Sequence, residues 1–119
     1  MSDDVPFFIL GCVRSGTTLL RDILRTSTRL ECPEETQYYR WGQPFGNNGF
    51  INHVLKPPLL QRHRKMDKVD EHLFEELMET SISRRNLQDR YMDAYLAGQS
   101  KEGVRWFDKS PQNVYGLPL

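Results

Sequence analysis

The sequence FFILGCVRSGTTLLRDIL, residues 7–24, decides the fold of this 119-residue chain. Residues 7–10 form a short continuous apolar run, which is typical of a strand buried on both faces. From Thr17 onward the apolar residues recur with helical spacing and share one face. The residues on that face are Leu19, Leu20, Ile23 and Leu24. Residues 11–16 are therefore predicted to form a loop between a strand and a helix.

A loop in this position is suited to binding an anion. Backbone N–H groups and the positive end of the helix dipole converge there, and phosphate is their usual ligand. Gly11 and Gly16 let the backbone turn tightly and approach a ligand closely. Arg14 is the only cation of the loop, and the hydroxyls of Thr17 and Thr18 can donate hydrogen bonds. Thr17 stands where the triphosphate-binding loop G-x-x-x-x-G-K-[ST] has its lysine. The sequence thus favours one phosphate in the loop, with a charged group ahead of it, over a triphosphate.

Turn signals and apolar periodicity divide the rest of the chain. We predict a helix end at 26–28, a short strand at 30–32, a loop over 43–58 and a strand at 104–107. Two helices are predicted between residue 70 and Gly98, which is a candidate helix cap. Their apolar stripes are Leu73, Phe74, Leu77 and Met78, and then Leu87, Tyr91, Ala94 and Tyr95. Strands that alternate with helices in this way indicate an α/β protein with a parallel sheet.

Charge and composition argue against several classes of function. Sixteen basic residues balance sixteen acidic residues, so no net positive field favours nucleic acid or a membrane surface. The longest apolar stretch, residues 5–13, is about half as long as a bilayer span. The acidic start, residues 1–4, lacks the cationic character of a secretory signal. Two cysteines are too few for a disulfide scaffold. We therefore expect a cytoplasmic protein without nucleic-acid or membrane partners.

The histidines do not predict a metal site. His53, His63 and His72 have no ligand spacing with one another or with a cysteine. His53 could touch an acceptor, but an ordinary surface or loop histidine is the more common situation. Residues 62–65, Arg-His-Arg-Lys, either attract an acidic acceptor or form a solvated helix edge, and the second is the more common situation.

Residues 8–20 resemble the 5′-phosphosulfate-binding loop of sulfotransferases. They have its Arg-Ser-Gly-Thr-Thr form, which many bacterial members and the tyrosylprotein sulfotransferases share. The resemblance implies a P-loop nucleotide-kinase-like fold, with a parallel sheet flanked by helices. It also implies 3′-phosphoadenosine 5′-phosphosulfate as the sulfuryl donor and a hydroxyl-bearing acceptor. In such a site Arg14 contacts the phosphosulfate group, and the 5′-phosphate is held by Ser15, Gly16, Thr17 and Thr18.

Two further segments carry the same resemblance. Residues 32–36, CPEET, are similar to the Cys-Gly-Glu-Glu-Thr stretch of tyrosylprotein sulfotransferases, with proline in place of the glycine. The proposed catalytic base of that stretch falls on Glu35. Residues 108–113, DKSPQN, are similar to the Lys-[ST]-Pro-x-Asn segment of bacterial sulfotransferases. The lysine of that segment reaches the transferring group and falls on Lys109, which the resemblance places beside Arg14.

These residues suit sulfuryl transfer without a metal. Negative charge builds on the leaving oxygen as the acceptor attacks, and Arg14, Lys109 and the loop amides can stabilise it. The acceptor hydroxyl must also lose a proton, for which Glu35 is the candidate base. A plain surface glutamate is the alternative for Glu35.

The resemblance also leaves parts open. The family holds the donor's 3′-phosphate through residues beyond the Lys-[ST]-Pro segment, so residues 1–119 are interpreted as the amino-terminal part of one sulfotransferase domain. We expect little or no transferase activity from them alone. Carbohydrate, protein tyrosine, lipid and small alcohols all stay open as acceptors. The alternatives are an atypical P-loop kinase and a degenerate nucleotide-binding or interaction module without catalysis.

Overall fold

Strands and helices alternate along the residues that this computed structural model describes, 5–11, 16–41, 43–99 and 104–116. The strands are β1 (Phe7–Ile9), β2 (Leu30–Glu31) and β3 (Arg105–Lys109). The helices are α1 (Thr17–Arg25), α2 (Asn48–Val54), α3 (Pro58–Met66), α4 (Glu71–Thr80) and α5 (Arg84–Ala97), with a 3₁₀ helix at Pro111–Gly116. The predicted α/β fold, a parallel sheet flanked by helices, is confirmed.

The three strands form a parallel sheet in which β3 lies between β1 and β2. Ile9 of β1 pairs with Lys109, and Glu31 of β2 pairs with Trp106. The expectation that β1 is buried on both faces is wrong, because β1 lies at an edge of the described sheet and Phe8 is 37% exposed. Since the strands are parallel, the residues that follow their carboxyl ends come together along one edge of the sheet.

Helix α1 begins where the sequence predicts, but it packs through its polar face. Arg21 is buried, whereas Leu19, Leu20 and Ile23 are 66%, 45% and 57% exposed. The helix ends at Thr26, as predicted, where the backbone N–H donates to the carbonyl of Ile23. The predicted apolar face therefore exists, but the described part of the chain leaves most of it uncovered.

The main hydrophobic core lies among the helices that follow β2. Its buried members are Tyr38, Phe50, Val54, Val69, Phe74, Leu77, Met78, Leu87, Tyr91, Met92 and Tyr95. The predicted apolar stripes of α4 and α5 supply six of these side chains, while Leu73 stays 38% exposed. The C-cap of α5 is Gly98, as predicted. This core fixes the helical layer against which the residues after β2 and β3 are positioned.

The prediction of a loop over residues 43–58 is wrong, because the middle of this stretch forms α2. Asn47 caps the helix, since its side-chain oxygen accepts a hydrogen bond from the Phe50 N–H at 2.8 Å. Phe50 and Val54 lie one helical turn apart and are fully buried. Asn47 suggests a turn in the sequence, but the burial of these two side chains makes it a helix cap instead.

Residues 62–65 do not form a fully solvated helix edge, because Arg64 of α3 is only 4% exposed. Its guanidinium donates to the carbonyl of Leu55 at 2.8 Å, pairs with Glu71 and lies 4.1 Å from the ring centre of Phe74. Arg64 therefore ties the end of α2 to α3 and α4. Its planar, multidentate donor group explains how one cation can serve all three elements.

Candidate active site

The amino terminus of α1 presents backbone donors at the carboxyl edge of the sheet. Gly16 is the N-cap residue and has φ of 86°, in the left-handed region that favours glycine. Glycine has no side chain with which to cap the helix, so the first N–H groups of α1 depend on other acceptors. Thr17 and Thr18 are the first two residues of the helix. This helix end is suited to an anion, as the sequence predicts.

Lys109, the last residue of β3, joins two other predicted site residues. Its ammonium nitrogen lies 2.5 Å from Oε1 of Glu35 and 3.1 Å from the hydroxyl oxygen of Thr18. These partners are 74 and 91 positions away in the sequence. Because the Lys109 side chain is almost fully buried, its charge needs a close counter-ion, and Glu35 provides it. The structure thus brings Thr18, Glu35 and Lys109 to one point.

The adjacent carboxylates Glu34 and Glu35 have different partners. Glu34 accepts a hydrogen bond from Arg21 of α1 at 2.7 Å and holds that helix against the sheet. Glu35 instead pairs with Lys109, and a quarter of its side chain stays exposed. The Glu35 side chain is therefore partly accessible from solvent. Glu34 thus has a structural contact with α1, whereas Glu35 lies at the predicted site.

A buried polar network involves the chain neighbours of this ion pair. Asp108 is fully buried and accepts hydrogen bonds from the Thr36 hydroxyl at 2.7 Å, the Ser110 hydroxyl at 2.8 Å and the Gln88 amide at 3.1 Å. Burial raises the pKa of Asp108, and these three hydrogen bonds offset part of that increase. Asp108 and Ser110 belong to the DKSPQN segment, whose resemblance implies no role for either residue. Their position on either side of Lys109 is the signal that could have identified them.

Two histidines that were assigned to no site have defined contacts. Nδ1 of His63 donates to the carbonyl oxygen of Glu35 at 2.9 Å, so α3 contacts the backbone of the candidate base. His53 packs against Trp41, with ring centroids 4.2 Å apart, and its Nδ1 bonds the Gly49 carbonyl at 2.6 Å. His63 therefore belongs to the surroundings of the site, whereas these contacts give His53 a packing role.

Arg14 and Ser15, the other predicted donor-binding residues, lie outside the described residues. Within the described ranges, His, Cys, Asp and Glu side chains form no group of three or more that could hold a metal ion. Over the same ranges, no helix combines the length and apolar character that crossing a membrane requires.

Comparison with known proteins identifies the family. The model of the sulfotransferase family matches residues 6–119, which is nearly the whole chain. The chain therefore belongs to the sulfotransferase family, and membership supports sulfuryl transfer as its general class of reaction. Comparisons with curated proteins and with solved structures found no match for this chain.

Proposed function

We propose that this protein transfers a sulfuryl group from 3′-phosphoadenosine 5′-phosphosulfate to a hydroxyl-bearing acceptor. One observation carries the proposal: Lys109 contacts both Glu35 and Thr18, at 2.5 and 3.1 Å. A cation, a candidate base and the start of the anion-binding helix thus lie within one substrate's reach. Family membership supports the class of reaction, and we propose that the reaction takes place at this cluster.

The described part of the glycine loop leaves open space where we propose that the phosphate binds. An added Cβ at Gly16 would meet no atom within 4 Å, so the space beside the helix end is open. Thr17 and Thr18 offer backbone N–H groups and hydroxyls there. We propose that they hold the donor's 5′-phosphate together with Ser15, and that Arg14 contacts the phosphosulfate group.

Glu35 and Lys109 act on opposite ends of the transfer. Glu35 accepts the proton of the acceptor hydroxyl as that oxygen bonds to sulfur. The bond from sulfur to the bridging phosphate oxygen breaks, and that oxygen leaves with the negative charge. Lys109 and Arg14 stabilise this charge. Lys109 does so from a buried position that is fixed before the reaction, which avoids reorganisation at the transition state.

The Glu35–Lys109 ion pair places the candidate base directly beside the buried cation. The same ammonium stabilises charge on the donor, so Lys109 is shared between Glu35 and the transferring group. Burial makes its electrostatic interactions stronger than they would be in water.

Calorimetric titration of adenosine 3′,5′-bisphosphate, the product of the donor, tests the proposal. We expect the wild-type chain to bind it in preference to ATP. Arg14→Ala should weaken binding about tenfold or more, because a charge-assisted hydrogen bond is lost. Arg62→Ala, which removes an exposed arginine of α3, is the matched control and should bind like the wild type.

Several outcomes would contradict the donor assignment. If residues 1–119 bind no bisphosphate, the same titration on a version extended beyond residue 119 is decisive. An extended version that binds no bisphosphate, or binds ATP equally well, does not have the proposed pocket. Magnesium-dependent ATP turnover that disappears in Thr17→Ala would instead establish the kinase alternative. Binding without transfer to any acceptor, even by a version extended beyond residue 119, would favour the non-catalytic module.

A further inference from the structure

The backbone around Glu35 is held at several points by side chains distant in sequence. We call residues 34–37 the Glu35 segment. Its first N–H, from Glu34, donates to Asp67 at 2.8 Å, and the carbonyl of Glu35 accepts from His63 at 2.9 Å. The next two N–H groups, of residues 36 and 37, both donate to the Ser110 hydroxyl oxygen, at 2.9 and 3.2 Å. Little backbone freedom is left on either side of the carboxylate.

Ser110 is oriented for this task by Asp108. The Ser110 hydroxyl donates to one carboxylate oxygen of Asp108 at 2.8 Å, which leaves its own oxygen as the acceptor for the segment. The other carboxylate oxygen accepts from the Thr36 hydroxyl at 2.7 Å. Asp108 and Ser110 are fully buried, so each of these hydrogen bonds would be costly to leave unmade.

The segment also contains a backbone conformation that its residue type disfavours. Gln37 has φ of 60°, in the left-handed region where a side chain costs about 1 kcal/mol or more. The hydrogen bond from its N–H to Ser110 helps to hold this conformation. Such a conformation persists only when surrounding contacts fix it, and at Gln37 these contacts come from Ser110 and Arg40.

We infer that Ser110 and Asp108 are positioning residues that hold Glu35 in contact with Lys109. The two residues flank Lys109 in the sequence. Residues 108–110 therefore supply both the cation and the residues that position Glu35, which is the ion-pair partner of that cation. Residues 108 and 110 act on Glu35 through the backbone of Thr36 and Gln37, without touching substrate. The catalytic role of this positioning rests on the proposed function, but the contact between Glu35 and Lys109 can be tested without substrate.

The test observes the ammonium group of Lys109 by NMR in lysine-labelled protein. Ammonium protons held in a buried ion pair exchange slowly with water, so Lys109 should give a resonance that Lys109→Arg removes. Thr36→Val deletes the hydroxyl that bonds Asp108 but keeps the side-chain shape, and Ser110→Ala removes the shared acceptor. We expect both variants to speed exchange about tenfold or more, and thereby weaken or abolish the resonance, as Glu35 moves away. Thr36→Ser, which keeps the hydroxyl, should restore it.

Ser81→Ala is the matched control for general destabilisation. Ser81 is also buried and accepts a hydrogen bond from Arg90 at 3.0 Å, but at the end of α4. Its loss should leave the Lys109 resonance unchanged. The inference is overturned if folded Thr36→Val and Ser110→Ala keep the wild-type exchange rate, or if Ser81→Ala changes it equally. A wild-type protein without the resonance also overturns it, whereas failure of bisphosphate binding would affect the proposed function alone.

Discussion

Helices α1 and α4 each carry an apolar stripe, but they bury opposite faces. In α4, Phe74, Leu77 and Met78 are buried in the core. In α1 the buried residue is Arg21, and most of the apolar face is exposed. Helix α4 is therefore held by hydrophobic burial, whereas α1 is held by polar contacts such as the pair between Arg21 and Glu34. The amino terminus of α1 forms part of the candidate donor site. The position of that part of the site therefore depends on electrostatic contacts.

Phe74→Ala should show the largest effect on the helical core. Phe74 is fully buried and packs against Tyr38 and Tyr91, so its removal leaves a cavity that the surroundings fill only in part. We expect the free energy of unfolding to fall by about 3–5 kcal/mol in urea denaturation. Leu73→Ala, at a partly exposed neighbouring position, should cost under about 1 kcal/mol. Equal effects at the two positions would mean that α4 is not anchored by its buried face.

Asp67 connects the Glu35 segment to helix α5, and we expect its titration to make the stability of the protein depend on pH. Its carboxylate accepts from the Glu34 N–H and from the hydroxyl of Tyr91 in α5. Burial raises the pKa of Asp67 from 3.8 to about 6 in the folded protein. The folded state therefore binds more protons than the unfolded state between these values. Protonated Asp67 contributes stability that is present below pH 4 and lost as pH rises through 6, by up to about 3 kcal/mol.

Asp67→Asn removes this titration and is the variant that measures it. The difference in unfolding free energy between wild type and variant should shift in favour of the wild type as pH falls from 7 to 4. Urea denaturation at several pH values gives this difference directly. A difference that does not change with pH would show that Asp67 has the same affinity for protons in both states.

Arg21→Ala should have an intermediate effect, because it breaks the contact that holds α1. Glu34 would then keep a partly buried charge without its closest cation. We expect a loss of about 2 kcal/mol, between the values for surface and buried ion pairs. A double-mutant cycle with Glu34→Ala isolates the coupling. Arg85→Ala breaks an exposed pair with Asp89 and should cost under about 1 kcal/mol, and an equal loss would contradict the role given to Arg21.

The parts of the fold that the sequence predicts correctly depend on local patterns. β1, α1 and β3 follow from apolar runs and periodicity beside glycine or polar boundaries. The meeting of Glu35 with Lys109 is also predictable, since both follow or end strands of one parallel sheet. Helix α2 is missed because asparagine is favoured both in turns and at helix caps, and burial of Phe50 decides between them at Asn47.

The support of the site could not be predicted, because it depends on contacts between distant residues. His63 and Glu35 are 28 positions apart, and Ser110 and Thr36 are 74 apart. A serine or histidine in a sequence does not reveal which backbone group it will bond. Similarly, periodicity predicts the apolar face of α1, but only the fold shows that the opposite face, with Arg21, is the buried one. A pattern fixes which residues share a face, and packing decides which face is buried.

Leu19→Gln and Ile23→Gln should have the smallest effect and test the exposed face of α1 directly. Both side chains are more than half exposed, so a polar replacement removes little buried apolar surface. Each variant should change the free energy of unfolding by no more than about 0.5 kcal/mol. Losses of 1 kcal/mol or more in urea denaturation would mean that this face is covered in solution. Helix α1 would then be held by hydrophobic burial, as α4 is, and the contrast between the two helices would not hold.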